Sequence, residues 1–299
     1  MYREAKIQGE NQSLNTGSSR GTGGSFALPS YPKDFTPAKT IAEANAFAMN
    51  VLKIPRAEYK GCAVEVANEW NYGLSKSFKR FPELKKNFGF VGEAYEQNTL
   101  CEAALSDYYY SVLEEGLPDY DKKFLHKQAQ LKASRDILET MKISAGTCTR
   151  ALISKQPGKR DFNGVTINRD IGRDYRHFLE IQKYNEATKN RPDGCGTIKS
   201  VLDHEIGHQL DKMLGLRDMS EIQALFESRV KIINGAEDYS RITEELSRYA
   251  WKNDNPNRYA EFTAEAWAEY CNNPSPREIA QSVGAIVEHE YAKKYSRGV

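Results

Sequence analysis

Apolar residues recur every three to four positions along most of this 299-residue chain, and the intervals between those stretches predict helices separated by short loops. The run from Thr40 to Leu52 has helical spacing. Val64 to Phe81 continues it, with Trp70, Leu74 and Phe78 on one stripe. Tyr95 to Leu113 and Lys122 to Met141 read as two more helices, so residues 38–144 are expected to form a small helical bundle. Further on, Ile198, Val201, Leu202, Leu210, Met213 and Leu214 mark a helix from Thr197 to Leu214, with Thr197 placed to cap its start and Gly215 to end it. Tyr259 to Tyr270 and Arg277 to Tyr295 complete the helical set. Alternation of period two appears only at Cys148 to Ser154, Gly164 to Asn168 and Phe178 to Ile181, which are read as strands. The pattern therefore predicts an α+β fold, mainly helical, with a small sheet confined to residues 145–299. Residues 1–37, rich in Gly, Ser, Asn and Gln, are expected to be a flexible tail.

The chemistry concentrates on the helix starting at Thr197, where Asp203 to Asp211 reads DHEIGHQLD and contains HExxH. At 3.6 residues per turn, His204 and His208 lie one turn apart on one face, so both imidazoles can reach a single zinc ion with Glu205 beside it. A catalytic zinc takes a third protein ligand and keeps a position open for water. Asp211 lies most of a turn too far along the axis to be that ligand, and is read as an outer support of the site.

The later helix supplies candidates. In YAEFTAEAWAEY, Glu261, Glu265 and Glu269 recur every four residues, while Ala260, Phe262, Ala264, Ala266 and Trp267 cover the other faces. Carboxylates on so apolar a helix need partners if buried. One could complete the zinc site while another, a turn away, accepts a hydrogen bond from the far nitrogen of a ligating histidine.

HEIGHQLD followed some fifty residues later by EFTAEAW resembles the gluzincin metalloproteases, in particular the lethal-factor-like group with its HExGHxxD and ExFAExF patterns. The resemblance covers residues 145–275 and implies a zincin-like catalytic domain over 145–299. It implies that His204, His208 and Glu261 bind zinc, that Glu205 is the general base, and that Glu265 supports a histidine. An upstream tyrosine that stabilises the transition state would be Tyr249, in SRYA at Ser247 to Ala250, with Tyr259 as the alternative. Thr263 departs from the aromatic of the family pattern. The segments EVANEWNYGLSKSF and RFPELKKNFGFVGE are similar to a helical region that precedes such domains in proteins of bacteriophages and integrated elements. That similarity implies a protein acting in the bacterial cytoplasm or carried with the virion, with a protein or peptide substrate and virion proteins as further partners.

Composition narrows the classes. With 39% hydrophobic residues and no long apolar run, a soluble globular protein is expected and a membrane role is not. A net charge of +1 without a basic stripe gives no support for nucleic-acid binding. Cys62, Cys101, Cys148, Cys195 and Cys271 are scattered and odd in number, and are read as reduced thiols; the absence of a signal-peptide pattern agrees with a cytoplasmic origin. Two alternatives to a peptidase remain at this level: a non-catalytic virion component built on the same scaffold, and a metal-dependent amidase acting on peptidoglycan. His126, His177 and His289 are read as ordinary surface or core residues. The segment Gly164 to Asp170 is expected to be the edge strand that holds substrate.

Overall fold

Helical periodicity becomes helix wherever the apolar stripe has something to bury against. In the computed structural model, which describes residues 29–141, 149–251 and 258–295, the chain runs α1 (Ile41–Asn50), β1 (Arg56–Glu58), α2 (Val64–Arg80), β2 (Phe90–Glu93), α3 (Ala94–Gly116), α4 (Lys122–Thr140), β3 (Thr149–Leu152), β4 (Gly164–Ile167), α5 (Arg169–Gly172), α6 (Tyr175–Ala187) and α7 (Ile198–Leu214). It continues with α8 (Ser220–Glu227), the hairpin β5 (Lys231–Ile233) and β6 (Ala236–Asp238), α9 (Ser240–Glu245), α10 (Arg258–Asn272) and α11 (Glu278–Tyr295). The expected α+β architecture, mainly helical, is what the chain adopts. No helix of the described residues is long and apolar enough to cross a membrane.

The central element is α7. Thr197 Oγ1 accepts the Ser200 backbone N–H at 3.1 Å to start it, and Gly215, at φ +75°, ends it in the left-handed conformation that glycine adopts without steric cost. Between these caps, Ile198, Val201, Leu202, Ile206 and Leu210 are buried, each worth about 1.5–3 kcal/mol relative to exposure. Leu202 faces α2, which approaches closely at Gly73: a Cβ there would lie 2.5 Å from Leu202 Cδ2. On another side α7 packs on the sheet, where Gln209 Nε2 donates to the carbonyls of Leu152 at 3.2 Å and Gly164 at 3.0 Å. The helix is thus covered on most sides, and Ser200, Asp203, His204, Glu205, Gln209 and Asp211 are buried with it.

The sheet has the order β1-β2-β4-β3, with β1, β2 and β4 parallel and β3 antiparallel to β4. This corrects the edge-strand expectation. β4 is interior, hydrogen-bonded on both sides, and all four of its residues are buried; from Arg169 the chain turns into α5. The strand at the margin next to α7 is β3, half-buried along its length. Phe178 to Ile181 is likewise not a strand but lies inside α6, whose start is fixed by Asp174 accepting the His177 N–H at 3.1 Å.

Two strands of this sheet come from before residue 144 and two from after it, so the division expected there cuts a continuous sheet, and residues from Tyr31 onward form one compact unit. α3 and α4 pair as a hairpin with their own apolar cluster, in which Cys101, Leu105, Ala129, Ala133 and Ile137 meet Phe90 and Phe162 beneath the sheet. The expected tail begins to pack sooner than its composition suggests. Phe35 is buried against Phe47 and Tyr72, while residues 1–28 lie outside the described set. Cys62, Cys101, Cys195 and Cys271 are free thiols, and Cys148 is outside the described residues.

Candidate metal centre

α10 crosses α7 at the point where α7 has no side chain. A Cβ on Gly207 would come within 2.7 Å of Ala264 Cα, so glycine here lets the two backbones approach and brings the carboxylate face of α10 over the histidines. His204 and His208, one turn apart, turn their Nε2 atoms to within 3.1 Å of each other. Glu261 Oε2 lies 3.4 Å from the first and 3.5 Å from the second. For a cation about 2.0–2.1 Å from each donor, a tetrahedral arrangement has edges of about 3.3–3.4 Å, which this triangle matches. Glu261 Oε2 is buried and has no hydrogen bond among the described residues. The same three residues are the described group of His, Cys, Asp and Glu side chains able to hold a metal ion.

Glu265, one turn beyond Glu261, is fully buried and organises the outer side of the site. Its Oε1 lies 2.7 Å from His204 Nδ1 and pairs with Arg191, while Oε2 accepts from Ser247 Oγ at 2.8 Å. A proton on His204 Nδ1 facing Glu265 leaves the Nε2 lone pair pointing into the triangle, the tautomer a metal requires. Burial would raise the Glu265 pKa, but Arg191, His204 and Ser247 outweigh it and hold the carboxyl below its usual range. Burial also opposes charge on Glu261, yet His204 and His208 keep that carboxyl well below the usual range. For His204, burial and Arg191 disfavour protonation, but Glu261 and Glu265 prevail and raise the pKa to about 9. The two carboxylates therefore favour the protonated form of His204.

Glu205 is buried beside the triangle, and its Oε1 accepts from Thr149 Oγ1 of β3 at 2.5 Å. Tyr249 lies next to the histidines, its ring centroid 5.8 Å from that of His204, with the Arg191 guanidinium 4.6 Å above it. Burial and then the charge of Glu261 push its phenol pKa well up, so the hydroxyl stays protonated. Tyr259, the alternative, points elsewhere: its hydroxyl donates to Glu227 at 2.6 Å and its ring packs on Phe226.

One sequence assignment changes role. Asp211 is buried, but its carboxylate accepts from the Arg217 backbone N–H at 2.7 Å and Nε at 2.6 Å, fixing the chain as it leaves α7 and supporting neither histidine. Glu269, third in the carboxylate row, is held by Arg277 through several hydrogen bonds. His126 stacks on Tyr110 and His289 is exposed, both away from the site. Arg191 carried no signal in the sequence; Ser247 stood out only as the serine of SRYA, and Thr149 only as part of the strand read at Cys148 to Ser154, with nothing to show that either reaches this site. Comparison with protein-family models, curated proteins and solved structures finds no match to this chain.

Proposed function

We propose that this chain is a zinc metallopeptidase of the gluzincin kind, with His204, His208 and Glu261 as the metal ligands. The observation that carries the reading is the donor triangle with edges of 3.1, 3.4 and 3.5 Å, closed by a buried carboxylate oxygen that has no hydrogen bond among the described residues. The residues at His204, Glu205, His208, Glu261 and Glu265 also match the lethal-factor-like pattern position for position.

When bound, zinc supplies Lewis acidity toward the scissile carbonyl and makes a water molecule acidic near neutral pH. The remaining work falls to the protein. Glu205, its Oε1 engaged by Thr149, has Oε2 to take a proton from the attacking water and pass it to the leaving amine. Attack forms the new C–O bond and moves charge onto the carbonyl oxygen; collapse of that oxyanion then breaks the amide C–N bond, and the products are a carboxylate and an amine. Tyr249, kept protonated by its surroundings, donates to the oxyanion that develops on the carbonyl. β3, at the margin of the sheet and antiparallel to β4, offers main-chain groups that would align an extended peptide beside α7. A protein or peptide substrate, met in the bacterial cytoplasm or carried with a virion, is the accompanying proposal.

The test is proteomic. Purified protein is incubated with bacterial lysate with and without a chelator, and new peptide termini are mapped by mass spectrometry alongside zinc content by elemental analysis. Stoichiometric zinc with termini that vanish on chelation supports the peptidase. Zinc without cleavage favours a scaffold role, and chelator-sensitive release of muropeptides without new protein termini favours the amidase.

A further inference from the structure

A buried arginine beside a metal-ligand histidine calls for an explanation, because a cation there opposes the metal's own charge. Arg191 sits in the connection between α6 and α7, where its backbone N–H bonds to the Asn185 carbonyl at 3.0 Å. Two residues before it, Lys189 adopts φ +58°, and the Lys189 carbonyl accepts the Arg248 N–H at 2.7 Å. That bond joins the Arg191 loop to the Ser247–Ala250 segment immediately next to Tyr249. From this anchored loop the guanidinium does three things: it pairs with Glu265 Oε1, lies 3.2 Å from His204 Nδ1, and covers the Tyr249 ring at 4.6 Å. The Tyr249 segment is also bound to Glu265 through Ser247 Oγ. Arg191 is therefore the shared neighbour of the carboxylate that orients a histidine and of Tyr249.

We infer that Arg191 is a positioning residue that sets the Tyr249 ring over the donor triangle, with its charge fixed in place by Glu265. This rests on the peptidase reading for its consequence in catalysis, though not for the contact itself. A cation over an aromatic face is attractive and, when desolvated, orients the ring as well as holding it. The arginine fork is suited to bonding a carboxylate edge-on while presenting its flat face to a ring, which a lysine cannot do.

The experiment is a double-mutant cycle of wild type, Arg191→Met, Tyr249→Phe and the pair, with Arg191→Lys added, on a peptide substrate found by the lysate screen. Arg191→Met is expected to lower kcat by roughly ten- to a hundredfold with KM little changed, less than the two to three decades typical of losing the oxyanion donor outright. In the Tyr249→Phe background the same change is expected to cost less than about threefold, because its effect passes through the lost hydroxyl. Losses that multiply independently would overturn the inference, as would loss of zinc from Arg191→Met by chelator competition, since either would place Arg191 in support of the metal. A second readout needs no activity. In protein labelled with 3-fluorotyrosine, the fluorine resonance missing in Tyr249→Phe is expected to shift and broaden in Arg191→Met, with partial return in Arg191→Lys. An unmoved resonance refutes the contact, whereas a wild type without peptidase activity but with the shift refutes only the peptidase reading.

Discussion

Gly207 of α7 lies against Ala264 of α10 with no room for a methyl group, since a Cβ would meet the Ala264 backbone at 2.7 Å. This contact sets the separation between the helix that carries the histidines and the one that carries Glu261. Gly207→Ala gains roughly 1 kcal/mol of helix propensity against an overpacking cost of about 1–3 kcal/mol, a net loss of up to about 2 kcal/mol. The expected result is a lower Tm together with weaker zinc binding, because the triangle opens as the helices part. A stabilised protein with unchanged zinc affinity would show that the helices yield freely.

Glu205→Gln keeps the shape of the base and removes its proton affinity. Zinc content should stay stoichiometric while peptide hydrolysis falls by about two to four decades. Retained hydrolysis would refute the role given to Glu205.

Thr149→Val deletes the donor to Glu205 at nearly constant volume. A hydrogen bond to a charged group is worth about 1.5–3 kcal/mol, so kcat should fall by roughly ten- to a hundredfold with zinc content unchanged. Thr149→Ser should recover most of the loss, and steady-state kinetics of the two variants decide the matter.

Glu261→Ala should lose zinc by elemental analysis while remaining folded, because the residue it removes has only the histidines as neighbours in the triangle. Glu265→Ala should behave differently. It leaves Arg191 buried without its partner and should destabilise the fold by about 3–5 kcal/mol by chemical denaturation. If Glu265→Ala alone abolishes zinc binding in folded protein, the ligand assignment is reversed.

The metal-free protein should carry a distinct pH dependence. Protonated His204 is held between Glu261 and Glu265, with a folded pKa of about 9 against an ordinary value of 6.5. Its contribution to stability is complete below about pH 6.5 and is lost as pH rises through 9. Glu261 has the opposite sign: its depressed pKa gives stability that is complete above its ordinary value of 4.5 and lost on acidification. Thermal melts of chelator-treated protein should therefore peak between about pH 5 and 6.5 and decline toward pH 9, whereas zinc-loaded protein should lack the alkaline decline. Zinc affinity itself should climb over the same interval, because binding displaces the proton.

What could be read in the sequence follows the range of the interaction. His204 and His208 are four residues apart on one helix, so their common face is fixed by helix geometry, and the same holds for Glu261 and Glu265. The meeting of the two helices was legible only as chemical complementarity, and the cause, Gly207 against Ala264, is a contact between distant segments. β1 and β2 are three and four residues long, too short for periodicity to register, which is why residues 38–144 read as helices alone. The uninterrupted burial of Gly164 to Ile167 marks an interior strand, yet a run of four residues does not separate that from a half-buried margin. Phe178 to Ile181 shows the same ambiguity, resolved by the Asp174 cap that makes it helix. Arg191 has no local pattern at all, and the local patterns of Ser247, in SRYA, and Thr149, in a short strand, do not tell which distant side chain each meets.

Along α10 the chain spells Ala-Glu three times, at Ala260, Ala264 and Ala268 with the glutamates following each. A helix with that repetition offers α7 nearly the same small-plus-acidic surface after sliding by one turn, and such a slide would bring Glu265 to the histidines in place of Glu261. The safeguard lies outside the repeat. Arg277 clasps Glu269 and also donates to the carbonyls of Glu244 at 2.8 Å and Leu246 at 2.7 Å, so the far end of α10 is moored to the strand of chain that leads to Ser247 and Tyr249. Register at the His204–His208–Glu261 triangle is thus held by a guanidinium that grips α10 two turns further along.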